Sequence, residues 1–189
     1  PLHNKEEEKK QYRTMNLKTA SSTMKASSKL TEGTVYSMLI ICSISHFLND
    51  MIQSIIPSIY PILKDEFNFS FAQIGIITLV FQMTSSILQP VTGLYADKRP
   101  QPYALSIGMC FTLGGLLLLA FSEHYLSILV AVSIVGFGSS VFHPTASRVT
   151  QMASGGKKSL AQSIFQVGGN GGSAVGPLLA AIIILPNGQ

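Results

Sequence analysis

The chain has 189 residues, of which 47% are hydrophobic and 12% charged, and its formal net charge is +4. From residue 67 onward, charged side chains occur only near the ends of apolar segments, whereas a soluble domain would carry them across its helix surfaces. The excess positive charge is therefore typical of membrane topology, and no nucleic-acid partner is expected.

Residues 1–33 precede the first apolar segment and have a different composition. They hold seven of the thirteen Lys and Arg residues, together with four Glu, among Ser, Thr, Asn and Gln. This composition predicts a disordered, solvated tail. The tail has no apolar run that could act as the hydrophobic region of a signal peptide, so no cleavable signal peptide is expected before the first span.

Five apolar segments follow the tail, and each is long enough to cross the ~30 Å hydrocarbon core of a bilayer as a helix. They are residues 35–63, 71–96, 103–121, 126–147 and 160–185. The sequence therefore predicts an all-α membrane protein over residues 34–189. Because the chain stops soon after the fifth segment, we expect it to be part of a longer protein.

The basic residues predict the orientation of these spans. Alternate crossing places the tail and five further basic residues on one side: Lys98, Arg99, Arg148, Lys157 and Lys158. The other side receives only Lys64. Since cytoplasmic segments carry the excess of Lys and Arg, the N-terminus is predicted to be cytoplasmic.

The first span carries four polar residues on one helical face, His46, Asn49, Asp50 and Gln53, at positions i, i+3, i+4 and i+7. Asp50 is the one carboxylate deep within the spans. A carboxylate at that depth costs a few kcal/mol even on mild scales, so it marks a functional site by default.

Three other spans also carry polar stripes. The stripe residues are Gln82, Ser85, Ser86 and Gln89 in the second span; Gly136, Ser139, Ser140, His143 and Ser147 in the fourth; and Gln162, Gln166 and Asn170 in the fifth. The third span has no such stripe. We expect spans one, two, four and five to surround a polar pathway and the third to face lipid. Alternatively, these groups are hydrogen bonds that only hold the bundle together.

The fifth span also has a ridge of small residues at four-residue spacing: Gly168, Gly172, Gly176 and Ala180. Such a ridge allows close backbone contact between membrane helices. Pro177 follows it, and proline bends a helix by removing a backbone hydrogen bond. The pattern suits helices that rock between two states, or ordinary membrane packing.

The connection between the second and third spans contains Gly93, Asp97 and Lys98. Arg148 ends the fourth span on the same predicted side, so an Asp97–Arg148 ion pair is expected. Because both residues lie near the interface, its expected role is a latch between helices.

Several of these strings resemble a known family. The glycine followed four residues later by Asp and a basic residue, Gly93 with Asp97 and Lys98, is similar to the loop signature of the major facilitator superfamily. The segment 172–181 resembles the fifth-span signature of its drug/proton antiporters. The segments 46–53, 138–148 and 162–170 resemble the fosmidomycin-resistance group, and the similarity runs from about residue 40 to 185.

This resemblance implies a bacterial inner-membrane transporter of twelve helices in two six-helix halves, of which this chain supplies five helices of the N-terminal half. It implies efflux of a small anionic phosphonate antibiotic such as fosmidomycin in exchange for protons. The sixth span and the second half are absent from the sequence. Two departures from the family pattern are Pro100, Gln101 and Pro102 in the loop, and Ala180 and Ala181 in place of two glycines.

The mechanistic hypothesis assigns proton coupling to Asp50, tuned by His46 one turn away. Burial disfavours a charged carboxylate, which helps such a group to bind and release a proton. The substrate would contact the polar groups of three spans: Asn49, Gln53, His143, Gln166 and Asn170. Gly93, Asp97, Lys98, Arg148, Gly168, Gly172, Gly176 and Pro177 are assigned gating or structural roles. No cofactor is expected.

Three other interpretations stay open. Ser139 or Ser140 with His143 offers the residue types of an intramembrane serine protease, although no orienting group is evident. His46, Asp50 and His143 offer three metal ligands without a spacing signature, so no metal is predicted. The chain could also be a non-transporting assembly or regulatory component, or an inactive truncated fragment of the transporter.

Overall fold

In the computed structural model, the described residues are 33–98, 102–184 and 186, and they form helices joined by short turns. The predicted tail lies outside these residues apart from Gly33, as do Arg99, Pro100 and Gln101. The helices are α1 (Tyr36–Ser58), α2 (Tyr60–Glu66), α3 (Phe71–Lys98), α4 (Ala104–Ala120), α5 (Tyr125–Met152) and α6 (Lys158–Leu179). A π-helical turn, Ala180–Ile184, continues α6.

Within the described residues, four helical segments are long and apolar enough to cross a membrane: Tyr36–Glu66, Phe71–Lys98, Tyr125–Met152 and Lys158–Ile184. Helix α4, the predicted third span, has 17 residues and is about 25 Å long, so it is at the lower limit for a crossing helix. The first span is interrupted after Ser58. The interruption precedes Pro61, which has no N–H to continue the backbone ladder.

The helices pack in pairs, with α1 along α6 and with α3 and α4 both along α5. At one end of the bundle, the Val35 amide donates to the Ala153 carbonyl at 3.0 Å, which places the start of α1 beside the α5–α6 turn. At the other end, the Tyr125 hydroxyl donates to the Gln73 carbonyl at 3.0 Å. Both contacts agree with helices that cross in alternating directions.

Two apolar clusters fill the bundle at different heights. One, towards the α2 end, includes Ile56, Leu63, Ile77 and Val132. The other, towards the α5–α6 turn, consists of Cys42, Phe142, Ala146 and Phe165. The polar stripe of α1 lies between them in sequence, between Cys42 and Ile56. The fold therefore holds this stripe in a layer bounded by apolar packing on both sides.

Helix α4 departs in part from the expectation that it only faces lipid. Phe111, Leu113 and Leu117 are exposed, as its apolar sequence indicates. Thr112, however, is buried, and its hydroxyl lies 3.4 Å from the Asn49 Oδ1 atom of α1. A single polar residue makes no periodic stripe, so the sequence pattern could not indicate this contact.

Candidate functional site

The polar face of α1 points into the bundle. His46, Asn49 and Gln53 are buried, and the Asp50 side chain is 19% exposed. The helical spacing that the sequence shows brings these four residues to one face. The partners that meet them come from α4, α5 and α6.

His46 is held in one orientation by α6. Its Nδ1 atom lies 2.8 Å from the Phe165 carbonyl oxygen, and its ring stacks on the Phe165 ring at 4.0 Å between centroids. This close approach depends on Gly169, because a Cβ atom at that position would collide with the imidazole ring. Since a carbonyl only accepts hydrogen bonds, the Nδ1 atom of His46 is the donor.

Asp50 lies between two histidines. Its Oδ2 atom is 3.2 Å from the Nε2 atom of His46, and its Oδ1 atom is 3.5 Å from the Nε2 atom of His143 on α5. Asn49 donates from Nδ2 to the same Oδ1 atom at 3.2 Å. Residues from two separate helices therefore converge on one carboxylate.

These contacts orient the two side chains towards each other. Because Nδ1–H of His46 is directed at the Phe165 carbonyl, its Nε2 atom faces Asp50. Nε2 and the Asp50 Oδ2 atom lie 3.2 Å apart, so the pair is arranged to hold a proton between them.

Asp50 and His143 open onto a cavity of about 230 Å³. The cavity extends from Asp50 towards Tyr60, and its wall includes residues that the sequence patterns did not indicate: Ser54, Pro57, Tyr60, Thr78, Phe81 and Ser173. Tyr60 and Thr78 are joined by a hydrogen bond of 3.1 Å between their hydroxyl groups. Gln82 of the second-span stripe also lines it.

Gln53 lines this cavity, but its amide nitrogen lies beneath the cavity surface, so the side chain would have to rotate to reach a ligand there. The residue is 9% exposed, and its Nε2 atom has no hydrogen-bond partner among the described residues. A buried amide without a partner costs about 1–3 kcal/mol, so this group is suited to a bound acceptor.

The predicted substrate contacts do not all meet in one place. Gln53 and His143 line the cavity with Asp50, whereas Asn49 is almost fully buried behind the carboxylate. Gln166 and Asn170 are exposed on α6. Gln166 lines a separate groove of about 540 Å³ towards the α5–α6 turn, together with Lys158.

The glycine ridge of α6 packs directly against the backbone of α1. A Cβ atom at Gly168 or Gly172 would collide with the carbonyl groups of Ser43 or Phe47, and one at Gly176 would collide with Ser54. The next member of the ridge, Ala180, is 1% exposed. Pro177 lies within α6, two residues before its α-helical part ends. The expected close packing is therefore present.

The ion pair expected near the helix ends is also present. Arg148 Nη1 lies 3.4 Å from Asp97 Oδ1 and also donates to the Ala96 carbonyl. Lys98 is the exposed last residue of α3. A Cβ atom at Gly93 would lie 3.6 Å from Pro144, an ordinary contact. The gating role of these residues stays a prediction.

The two serines of the protease interpretation are not arranged as nucleophiles, because one hydroxyl donates to a backbone carbonyl and the other residue is buried. Ser140 donates from its hydroxyl to the Phe137 carbonyl at 2.7 Å, and Ser139 is 3% exposed. His143 instead faces Asp50. The geometry supports a carboxylate–histidine cluster and not a serine–histidine pair.

Comparison with known proteins agrees with the membrane-spanning helices that the sequence pattern predicts. Residues 42–188 match the Major Facilitator Superfamily. The chain is 58% identical over 170 residues to the "Fosmidomycin resistance protein" of Escherichia coli (strain K12), covering 90% of this chain and 40% of that protein. It is 51% identical over 156 residues to the "Uncharacterized MFS-type transporter YfnC" of Bacillus subtilis (strain 168), covering 82% of this chain and 38% of that protein. No solved structure matches.

Proposed function

We propose, because the chain belongs to the Major Facilitator Superfamily, that it forms the N-terminal part of a secondary active transporter. The chain spans 40% and 38% of the two relatives, so the rest of such a transporter would complete the pathway. The proposed substrate is a small anionic compound such as fosmidomycin, exported in exchange for protons. The proposed location is the bacterial inner membrane, with the N-terminus in the cytoplasm.

The observation that carries the coupling proposal is the 3.2 Å contact between His46 Nε2 and Asp50 Oδ2, and we propose that this pair holds the exchanged proton. When this proton leaves, a carboxylate remains in a layer bounded by apolar packing. A charge in such surroundings is costly to enclose without a partner. We therefore expect the empty site to reorient only when the proton is bound.

Exchange also requires the substrate-loaded site to reorient without this proton, and hydrogen-bond donors to the substrate would balance its charge in that state. The substrate leaves on the outer side, the pair binds a proton there, and the neutral site turns inward. Proton release on the cytoplasmic side then readies the protein for another substrate. Each cycle moves a proton inward as the substrate moves outward.

The proposed substrate contacts are donors. Gln53 offers its unpaired Nε2 group, and His143 offers Nε2 when that atom carries hydrogen. Both suit the oxygen atoms of an anion such as a phosphonate. Asn49, Gln166 and Asn170 stay in the proposal as further contacts. Of these, the two α6 residues would act where the α6 surface meets the rest of the transporter.

The test uses the full-length protein in inside-out membrane vesicles, whose lumen corresponds to the cell exterior. An acidic lumen should drive accumulation of labelled fosmidomycin, and an ionophore that removes the pH gradient should stop it. Asp50→Asn should lose this accumulation but retain substrate–substrate exchange, because a neutral side chain can reorient without a proton.

Asp65→Asn serves as the matched control and should retain both activities, because its carboxylate is 82% exposed and lies outside the cluster. Gradient-driven accumulation by Asp50→Asn would contradict the role of Asp50. Absence of any fosmidomycin movement in the unmodified protein would contradict the substrate and favour a non-transporting component.

A further inference from the structure

We propose that His46, Asp50 and His143 form a binding site for a divalent transition-metal ion of the zinc class. Ligand atoms from these residues all lie within 4.8 Å of one another. Two imidazole nitrogens and one carboxylate oxygen suit Zn²⁺, Co²⁺ or Ni²⁺ better than Mg²⁺ or Ca²⁺, which prefer sites built entirely of oxygen. Three protein ligands with one open position are also typical of accessible zinc sites.

The measured spacings are close to those that such an ion needs. Tetrahedral Zn²⁺ with bonds of about 2.0–2.2 Å holds neighbouring ligand atoms about 3.4 Å apart. The His46 and His143 Nε2 atoms lie 3.2 Å and 3.5 Å from the two oxygens of Asp50. These distances run to different oxygens of Asp50, and the three ligand atoms lie within 4.8 Å of one another, so binding the ion requires them to move together by up to about 1.4 Å.

The surrounding groups orient the ligands as metal sites require. A metal-binding histidine donates its second ring N–H to a carbonyl or carboxylate, which turns the other nitrogen's lone pair towards the ion. His46 does this through Nδ1 and the Phe165 carbonyl. The Asp50 carboxylate is likewise held, by the Asn49 side chain. These partners are fixed before any ion arrives.

His143 is the adjustable ligand. Its side chain is 25% exposed and lies at the cavity wall, whereas that of His46 is 4% exposed and packed against Phe165. The contraction would therefore come mainly from His143 moving towards the fixed pair.

The cavity supplies the fourth position. It gives access to Asp50 and His143, and Gln53 also lines it. A divalent ion with one carboxylate ligand keeps a net positive charge, which favours an anionic fourth ligand. Hydroxide or a small oxyanion on the ion would accept a hydrogen bond from the Gln53 amide after that side chain rotated into the cavity.

The consequence for transport rests on the proposed function. Metal ligands bind in their deprotonated forms, so an ion in the cluster displaces the proton shared by His46 and Asp50. A bound ion should then stop the proton-dependent return of the empty site. We expect micromolar free Zn²⁺ to inhibit export.

The binding test uses the full-length protein purified in detergent, stripped of metal and titrated with Co²⁺. We expect one Co²⁺ per chain, with the intense visible absorption of a tetrahedral ion. His143→Gln should weaken binding by at least about 100-fold, because even outer partners of a metal site contribute about 10–100-fold. Asp50→Asn should have a similar effect. His124→Ala removes an exposed histidine outside the cluster and should bind Co²⁺ as before.

Thermal unfolding of each variant checks that it is folded. The proposal is overturned if the unmodified protein gives no tetrahedral spectrum, or if folded His143→Gln and Asp50→Asn bind Co²⁺ unchanged. The Co²⁺ spectrum does not depend on transport, so it tests the metal site even if the protein does not export the proposed substrate. Zn²⁺ could also inhibit export by binding elsewhere. If His124→Ala relieved the inhibition and His143→Gln did not, the inhibitory ion would bind at another site. That result would overturn the proposed effect of the cluster's metal ion on transport.

Discussion

Asp50 and Asp97 are both carboxylates beside basic side chains, yet the protein places them in opposite surroundings. Asp97 lies at the end of α3, where its side chain is 71% exposed and that of Arg148 is 39% exposed. Asp50 is 19% exposed and lies between helices. Solvent and salt reduce the contribution of the Asp97–Arg148 pair to stability to about 0–1 kcal/mol. The charge of the less exposed Asp50 must instead be balanced by neighbouring side chains. Burial, and not residue type, separates the carboxylate proposed as a latch from the one proposed as a proton site.

The largest effect should come from removing the partner of the interior carboxylate. His46→Phe keeps a ring against Phe165 but removes the nearer of the two imidazole nitrogens beside Asp50 and leaves His143 at 3.5 Å. We expect proton-driven export to be lost and the unfolding free energy to fall by about 3 kcal/mol, as when a buried pair loses one member. Vesicle transport and thermal unfolding in detergent measure the two effects.

The double variant His46→Phe with Asp50→Asn provides the control. Because it also removes the carboxylate, it should recover most of the stability without recovering proton coupling. Equal stability of the single and double variants would show that the charge on Asp50 is balanced by another group.

An intermediate effect should come from displacing His46 without altering either ionisable residue. Gly169→Ala places a methyl group where the imidazole ring lies, so the ring must shift away from the Phe165 carbonyl. We expect a loss of about 1–3 kcal/mol in stability from overpacking, together with weaker proton coupling.

Gly114→Ala is the matched control, because its added methyl group meets nothing within 4 Å. It should leave export and thermal stability close to those of the unmodified protein. If both alanine variants behave alike, the fit between His46 and α6 has no part in coupling.

The smallest effect should come from the exposed pair. Asp97→Asn removes the ionic partner of Arg148 but leaves the bond from Arg148 to the Ala96 carbonyl. We expect a change in stability of about 1 kcal/mol or less, which shrinks further at high salt. Thermal unfolding at low and high salt measures this change in stability. A salt-independent loss of about 3 kcal/mol would show that Asp97, like Asp50, contributes as a buried charge.

The sequence by itself determined where the helices lie along the chain and which residues share a helix face. Long apolar segments with charge at their ends must satisfy their backbone groups internally, which leaves helices as the structure. The spacing of His46, Asn49, Asp50 and Gln53 then follows from helical periodicity alone. The glycine ridge of α6 likewise indicated close contact with a neighbouring helix.

Only the tertiary structure decided which groups meet. The packing of α1 on α6 brings the Phe165 carbonyl to His46 and makes Gly169 necessary, although Gly168 was the glycine that the spacing indicated. It also places Gln166 and Gln53 at different cavities, although both belong to polar stripes. The physical reason is that periodicity is a local property of one helix. The rotation and depth at which two helices pack depend on side chains far apart in sequence.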